Sequence, residues 1–283
     1  MKKEIYLWKL ILIVLVLTLC ILYIYPIFLP KINLVKLENY SVFSGEGVYE
    51  YHRNYILNEN EKNIYDEIKE ASLQFKGEYT TAVKKITRGE FERAFKAVIS
   101  DHPEIFWLES YKLKLKVFSN KNLDTRQRIN LEFGYTEKEA IETKSKIEVE
   151  YNRIIGEAVS LGTNSEKIKY VHDELIQIGT YTIYEEKDKI RFQNIVSIFE
   201  TGESVCSGYA YGFKFIMDKL DIKSITMTSS LKSGVAHIWN MVELDGEWFY
   251  IDITWDEKAG YNYFLVGREI LEESHILLDG YPD

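Results

Sequence analysis

The chain of 283 residues contains only two cysteines, and its 35 basic residues are outnumbered by 44 acidic ones. Two cysteines can form neither a disulfide framework nor a sulfur-rich zinc site. The net charge of −9 argues against nucleic acid as a main partner, because phosphate binding needs a basic surface. The five histidines are spread along the chain and predict no cluster, so we expect no metal and no other cofactor.

One of the cysteines, Cys20, lies within an uncharged apolar run from Leu10 to Leu29. About 20 apolar residues span the hydrocarbon core of a bilayer as a helix. Lys2, Lys3 and Lys9 precede the run, which predicts a cytoplasmic N-terminus and export of everything that follows. A cleaved signal peptide fits less well, because the run is longer than a usual signal core and no small-residue cleavage site follows it. We therefore predict a single-pass protein of the cell membrane with an extracytoplasmic catalytic domain.

Sequence patterns divide the chain into four predicted segments. Residues 1–30 form a cytoplasmic tip and membrane anchor. Residues 31–58, which carry few periodic signals, form a stalk or an irregular approach to the fold. Helical spacing of apolar residues and an alternating hairpin pattern predict an α+β accessory region at 59–160. Residues 161–283 form the predicted catalytic domain.

Cys206 has no disulfide partner within the chain if Cys20 lies in the membrane. Apolar residues at helical spacing, from Tyr209 to Leu220, predict a buried helix whose first turn holds this cysteine. A helix N-terminus offers backbone N–H groups and the positive end of the helix dipole, which favour a thiolate and can stabilise an oxyanion. Considered alone, Cys206 is still better explained as a packed structural residue.

A β-hairpin further along the chain carries two more candidate residues. The Asp-Gly pair at 245–246 is a favoured two-residue type I′ loop, so Leu244 is expected to pair with Glu247. The residues that then share one face of the hairpin are His237, Trp239, Asp252 and Thr254. Asp252 is the diagonal neighbour of His237, which allows a hydrogen bond between carboxylate and imidazole. Together, Cys206, His237 and Asp252 suggest a nucleophile, its base and the group that orients the base.

Three sequence blocks resemble the signature motifs of the transglutaminase-like superfamily, in its bacterial and cytokinesis-protein-like branch. They are VCSGYA at 205–210, HIWN at 237–240 and DGEWFYIDITWD at 245–256. The segment VHDEL at 171–175 and Tyr181 resemble the part that leads into this domain, so the likeness covers about residues 160–266. Ile238 departs from the alanine that commonly follows the histidine, which changes the bulk beside the site.

The resemblance implies a papain-like α+β fold, in which the nucleophile helix packs on an antiparallel sheet. It also implies that Cys206 is the nucleophile, His237 the general base and Asp252 its orienting partner. Trp239 and Tyr181 are candidate residues of the substrate cleft. The segment DHPEIFWL at 101–108 resembles one that often precedes such domains, and we assign it no chemistry.

The expected function is that of a membrane-anchored thiol enzyme that acts on peptide or amide bonds through a thioester. The acyl group passes either to water, as in a protease or amidase, or to an amine, as in a transglutaminase, and the residues leave both outcomes open. The alternative is a catalytically inactive scaffold or binding module at the cell envelope, which the presence of all three candidate residues argues against. The expected partners are a protein or peptide substrate and the membrane, without nucleic acid.

Overall fold

The structure, a computed structural model, describes residues 47–114, 127–183 and 192–282. Residues Glu46–Asp283 form one compact unit. The membrane span predicted at Leu10 to Leu29 lies outside the described residues. Within the described ranges, no helix is both long and apolar enough to cross a bilayer.

The first part of the compact unit combines helices with a small antiparallel sheet. Its helices are α1 (Glu59–Leu73), α2 (Arg88–Asp101) and α3 (Glu137–Val159). Its strands are β1 (Glu78–Thr80), β2 (Leu108–Lys114) and β3 (Arg128–Phe133), in the order β1-β3-β2. The two longer strands form the hairpin that the alternating pattern predicts, as far as its residues are described.

The second part has the same mixture of elements, so the fold is α+β. Its helices are α4 (Asn164–Ile178), α5 (Cys206–Lys219), α6 (Ile253–Ala259) and α7 (Arg268–Leu271). Its strands are β4 (Thr180–Tyr181), β5 (Glu203–Ser204), β6 (Ser224–Ser230), β7 (Ala236–Leu244) and β8 (Glu247–Ile251). Strands β4 and β5 form a parallel pair, and β6-β7-β8 form an antiparallel sheet on which α5 packs.

Capping boxes begin the four longest helices other than α5. In each, the cap side chain accepts from the third helical N–H, and a glutamate at that position accepts from the N–H of the cap residue. The pairs are Asn58 with Glu61, Thr87 with Glu90, Thr136 with Glu139, and Thr163 with Glu166. Helix α5 differs, because its N-cap residue Val205 provides no side-chain hydrogen bond. Its first turn therefore has no capping side chain of its own.

The β7–β8 hairpin has the predicted register, with Leu244 opposite Glu247. Its loop residues Asp245 and Gly246 have φ angles of 55° and 88°, as a type I′ turn requires. The strand, however, ends at Ile251, so placing Asp252 and Thr254 on the strand face was wrong. The reason is local: the Asp252 carboxylate accepts the Trp255 N–H at 3.2 Å and starts helix α6.

The described end of the predicted stalk, residues 47–58, is packed and not extended. Tyr51 is only 6% exposed and joins a core cluster with Trp239 and Met241 on one face of the sheet. Its hydroxyl donates to the Gly280 carbonyl at 2.9 Å. These residues therefore fit an irregular approach to the fold better than an extended stalk. The boundary at 160/161 between the accessory and catalytic segments stays a prediction.

Candidate active site

A cavity of about 510 Å³ lies where the two parts of the compact unit meet. Cys206 and His237 both line it, as does Tyr181, one of the two predicted cleft residues. The opposite wall comes from residues 99–109, at the end of α2 and the start of β2. The fold thus brings together three predicted site residues with a segment to which the sequence assigned no chemistry.

Cys206 is the first residue of α5 and is partly exposed, with a free thiol. Gly208, two residues further along the helix, allows the neighbouring chain to approach closely. A side chain there would overlap with the hydroxyls of Ser204 and Ser197, which are joined by a hydrogen bond of 2.7 Å. This contact holds the segment before α5 against its first turn and so fixes the position of the thiol.

His237 and Asp252 form a direct hydrogen bond. Nε2 of His237 donates to Oδ2 of Asp252 over 2.7 Å, and both residues are buried, with exposures of 7% and 0%. Cys206 lines the same cavity as His237 and contributes to the electrostatic environment of its ring. Because Nε2 is engaged by Asp252, Nδ1 is the nitrogen left for the thiol. The structure therefore joins His237 directly to Asp252 and places Cys206 at the same cavity.

The opposite charges of His237 and Asp252 stabilise each other, which shifts the pKa of both groups. Burial alone lowers the pKa of His237, but hydrogen bonds and charges of Asp252 and Cys206 more than offset it and raise the pKa to about 9. Burial alone raises the pKa of Asp252, but hydrogen bonds and charges of His237 and His275 bring it below its ordinary value. Asp252 is thus an anion that stabilises the protonated form of His237.

Trp239, the other predicted cleft residue, is not among the described residues that line the cavity. It is 1% exposed and lies in the core cluster beneath the site. Its ring stacks on His237 with centroids 6.0 Å apart and packs edge-on against His275 at 4.8 Å. Trp239 therefore supports the imidazoles from below and has no surface in the cleft.

His275 is part of the site, although it was not among the residues predicted from the sequence. Its Nε2 donates to the same Asp252 oxygen, Oδ2, at 3.1 Å, and its Nδ1 lies 2.8 Å from the Ser274 hydroxyl. The expectation that the histidines form no cluster is wrong for His237 and His275, whose ring centroids lie 5.5 Å apart. A bridge between Leu231 and His275 brings this part of the chain to the sheet. No local pattern marks it, since the family resemblance ends near residue 266.

The same three side chains are also a possible donor set for a metal ion. One donor atom each from His237, Asp252 and His275 lies within 4.8 Å of the others. Two imidazoles and a carboxylate are ligands that zinc accepts. In this structure the donors are already joined by hydrogen bonds, which accounts for their closeness without a metal.

A second buried histidine, His102, faces the same cavity from the accessory region. Its Nδ1 contacts Glu104 at 2.7 Å and its Nε2 contacts Glu50 at 2.9 Å. Burial alone lowers the pKa of His102, whereas the two carboxylates raise it to about 9. Both ring nitrogens are therefore engaged in an ion-pair network.

Comparisons with known proteins add little to this geometry. No protein-family model matches the chain, and no curated protein matches it. A solved structure described as the crystal structure of a TGase matches with a TM-score of 0.37 and 16% identity. The match covers 52% of this chain and 44% of that one, so it spans less than half of the neighbour's length. A likeness of this size carries no argument about the fold, the family or the activity of this chain.

Proposed function

We propose that this chain is a thiol enzyme of the transglutaminase-like superfamily, with a papain-like arrangement of Cys206, His237 and Asp252. It acts on the carbonyl of a peptide or side-chain amide. The observation that carries the proposal is the position of His237, which bonds Asp252 through Nε2 at 2.7 Å and lines the same cavity as Cys206. A nucleophile, a base and an orienting carboxylate in contact are the arrangement that covalent acyl transfer needs.

The reaction follows from these contacts. His237 takes the Cys206 proton, and Sγ attacks the carbonyl carbon, which gives a tetrahedral oxyanion next to the uncapped first turn of α5. As the oxyanion collapses, the carbon–nitrogen bond breaks, His237 protonates the leaving amine, and a thioester remains on Sγ. Water or a second amine then attacks the thioester and gives its proton to His237, which releases the acid or new amide and restores the thiol.

Asp252 and His275 act as positioning residues in this scheme. Asp252 holds Nε2 of His237, so that Nδ1 faces the thiol, and its charge stabilises the imidazolium. His275 donates to the same carboxylate oxygen and so limits its rotation. The acyl acceptor is proposed to be water, which makes the enzyme a cysteine peptidase or amidase, with transamidation as the other outcome of the test below.

The setting of the enzyme belongs to the same proposal. The apolar run from Leu10 to Leu29 would anchor the chain in the cell membrane, with the catalytic residues on the extracytoplasmic side. The substrate would be a protein or peptide of the cell envelope, and no cofactor enters the scheme. Protease accessibility of the region beyond residue 47 in intact cells tests this orientation.

The test of the chemistry uses the full-length protein and its two cysteines. Cys206→Ala is expected to abolish both peptide hydrolysis and the incorporation of a labelled amine into casein. Cys20→Ala, the matched control, is expected to keep the activity. Iodoacetamide labelling of the Cys20→Ala protein provides a second measurement, since an activated thiol reacts well below pH 8.5, the approximate pKa of a free cysteine. Activity that survives Cys206→Ala, or a Cys206 that reacts only near or above that pH, would favour the inactive scaffold.

A further inference from the structure

The accessory region supplies an apolar wall to the cavity that contains Cys206 and His237. The apolar residues of this wall are Ile99, Pro103, Ile105, Phe106 and Leu108. They come from the end of α2, the turn after it and the first residue of β2. The side-chain amide of Asn194, another lining residue, donates to the Phe106 carbonyl at 3.4 Å. This bond joins the wall to the segment that precedes α5. The wall is thus a fixed part of the site.

The charges near this wall limit the groups that it can accept. Glu109 follows the apolar residues and is exposed, and it is the one carboxylate among the described lining residues. His102 also faces the cavity, but Glu104 and Glu50 balance its charge. The other protonated histidine of the cavity, His237, is paired with Asp252. An apolar side chain gains free energy by leaving water in such a place, whereas an acidic one meets the charge of Glu109 and no unpaired cation among the described lining residues.

The size of the cavity leaves room for more than the reacting groups. A volume of about 510 Å³ lies within the range of small-ligand sites, roughly 300–1,000 Å³. Bond making and breaking occupy the end near Cys206 and His237. The rest of the cavity, including the accessory wall, is therefore available to the parts of a substrate that flank the attacked carbonyl.

We propose that the wall at residues 99–109 selects the substrate of this enzyme. It binds a bulky apolar side chain within two residues of the attacked carbonyl of a peptide, and it disfavours an acidic side chain there. The inference rests on the proposed function, because Cys206 defines where the attacked carbonyl lies. It gives the accessory region a part in recognition.

The test uses the full-length Cys20→Ala protein, in which Cys206 is the one remaining thiol. The probes are acetyl-dipeptide chloromethyl ketones with leucine or aspartate at either position and alanine at the other. In the labelling step the Sγ–carbon bond forms, the carbon–chlorine bond breaks, chloride leaves and His237 takes the thiol proton. Each rate is divided by the same protein's rate with iodoacetamide, so that the ratio reports recognition and not thiol reactivity.

We expect leucine at one of the two positions to label at least about tenfold faster than aspartate, as is usual for apolar pockets. Two variants change the wall: Ile99→Asp on a half-buried residue, and Glu109→Gln on an exposed one. Ile99→Asp is expected to reduce the preference for leucine about tenfold, and Glu109→Gln to relax the rejection of aspartate several-fold. Val149→Asp, on the exposed face of α3 and away from the cavity, is the matched control and should keep the preference.

The outcomes separate this inference from the proposed function. Rapid iodoacetamide labelling with equal rates for leucine and aspartate probes overturns the inference and leaves the thiol chemistry in place. The inference is also overturned if Ile99→Asp and Val149→Asp change the preference for leucine over aspartate equally. If Ile99→Asp does not fold, Glu109→Gln decides: an unchanged rejection of the aspartate probe overturns the inference. Iodoacetamide labelling of Cys206 no faster than that of a free cysteine overturns the proposed function itself.

Discussion

Two buried histidines, His237 and His102, line the same cavity and differ in one respect that decides their chemistry. Each is held by carboxylates, and each has its pKa raised to about 9 although burial alone would lower it. His102 has a carboxylate on each ring nitrogen, Glu104 on Nδ1 and Glu50 on Nε2. His237 has a carboxylate on Nε2 only and faces the thiol with its other nitrogen.

The comparison teaches that a raised pKa does not by itself mark a catalytic histidine. A general base needs one ring nitrogen within reach of the group whose proton it takes. In His102 that nitrogen is used to join Glu50, near the start of the described chain, to the turn after α2. His237 therefore has the arrangement that the proposed proton transfer needs, whereas His102 has both ring nitrogens held in ion pairs.

The largest expected effect comes from exchanging the two histidines for glutamine. His237→Gln should lower kcat/KM by about 10³-fold, within the range usual for loss of a general base, because no group remains to take the Cys206 proton. His102→Gln, as the matched change at the same cavity, should stay within about tenfold of the original activity if it remains folded. Steady-state kinetics, with circular dichroism to check folding, measure both. Equal losses of activity in two folded variants would remove the distinction between the two sites.

The next effect is on stability and concerns His102. Its pKa rises from 6.5 to about 9 on folding, which is worth about 3 kcal/mol. Because the folded-state pKa is the higher one, this contribution is complete below pH 6.5 and disappears as the pH rises through about 9. The groups that face the ring are Glu104, Glu50 and Lys69.

Urea unfolding at a series of pH values measures this contribution. The difference in unfolding free energy between the unmodified protein and His102→Gln should shrink by about 3 kcal/mol between pH 6 and pH 10. His237 titrates in the same window in both proteins, so the difference isolates His102. A gap that does not change with pH would contradict the assignment of an imidazolium between two carboxylates.

Asp252→Asn should lower kcat/KM by about 10²-fold, the lower end of the range usual for one acid–base group, because it removes the charge beside His237 but keeps a side chain that can hydrogen-bond its ring. Asparagine still serves as an N-cap, so helix α6 should be retained. The pKa of His237 should fall from about 9 towards 6.5, which moves the alkaline limb of the pH–rate profile down. An unmoved alkaline limb in the folded variant would show that Asp252 does not set the charge of His237.

His275→Phe should have the smallest effect, about a tenfold loss in kcat with little change in KM. Phenylalanine keeps the ring packing against Trp239 and Trp255 but cannot donate to Asp252. His275→Gln restores a donor and should recover part of the rate, whereas Ser274→Ala, which removes only the partner of Nδ1, should cost less. A His275→Phe variant with unchanged kcat and pH profile would reduce His275 to a packing role.

Local interactions explain which parts of the site could be predicted from the sequence. The start of α5 at Cys206 agrees with the helical spacing of the apolar residues that follow it. The register of the β7–β8 hairpin depends on its loop at 245–246. The contact of His237 with Asp252 followed from that register, even though the strand ends one residue before Asp252. These features are set by interactions that a sequence pattern displays.

The remaining parts depend on residues that are distant in sequence. Asp252 and His275 are joined only when the chain after α7 returns to the sheet. His102 contacts Glu50, which lies in the segment predicted from the sequence as a stalk. The wall at residues 99–109 reaches the cavity through contacts of α2 with β6. Periodicity and short motifs carry no record of such contacts, so the structure was needed to find them.

The place of His275 in the chain gives the site a built-in order of assembly. During synthesis the thiol of Cys206 leaves the ribosome first, then the imidazole of His237, then Asp252, and last the histidine that steadies Asp252. The proposed nucleophile is therefore made before the residues that are proposed to support it. The complete hydrogen-bonded group of His237, Asp252 and His275 can form only once the polypeptide up to residue 275 is available to fold.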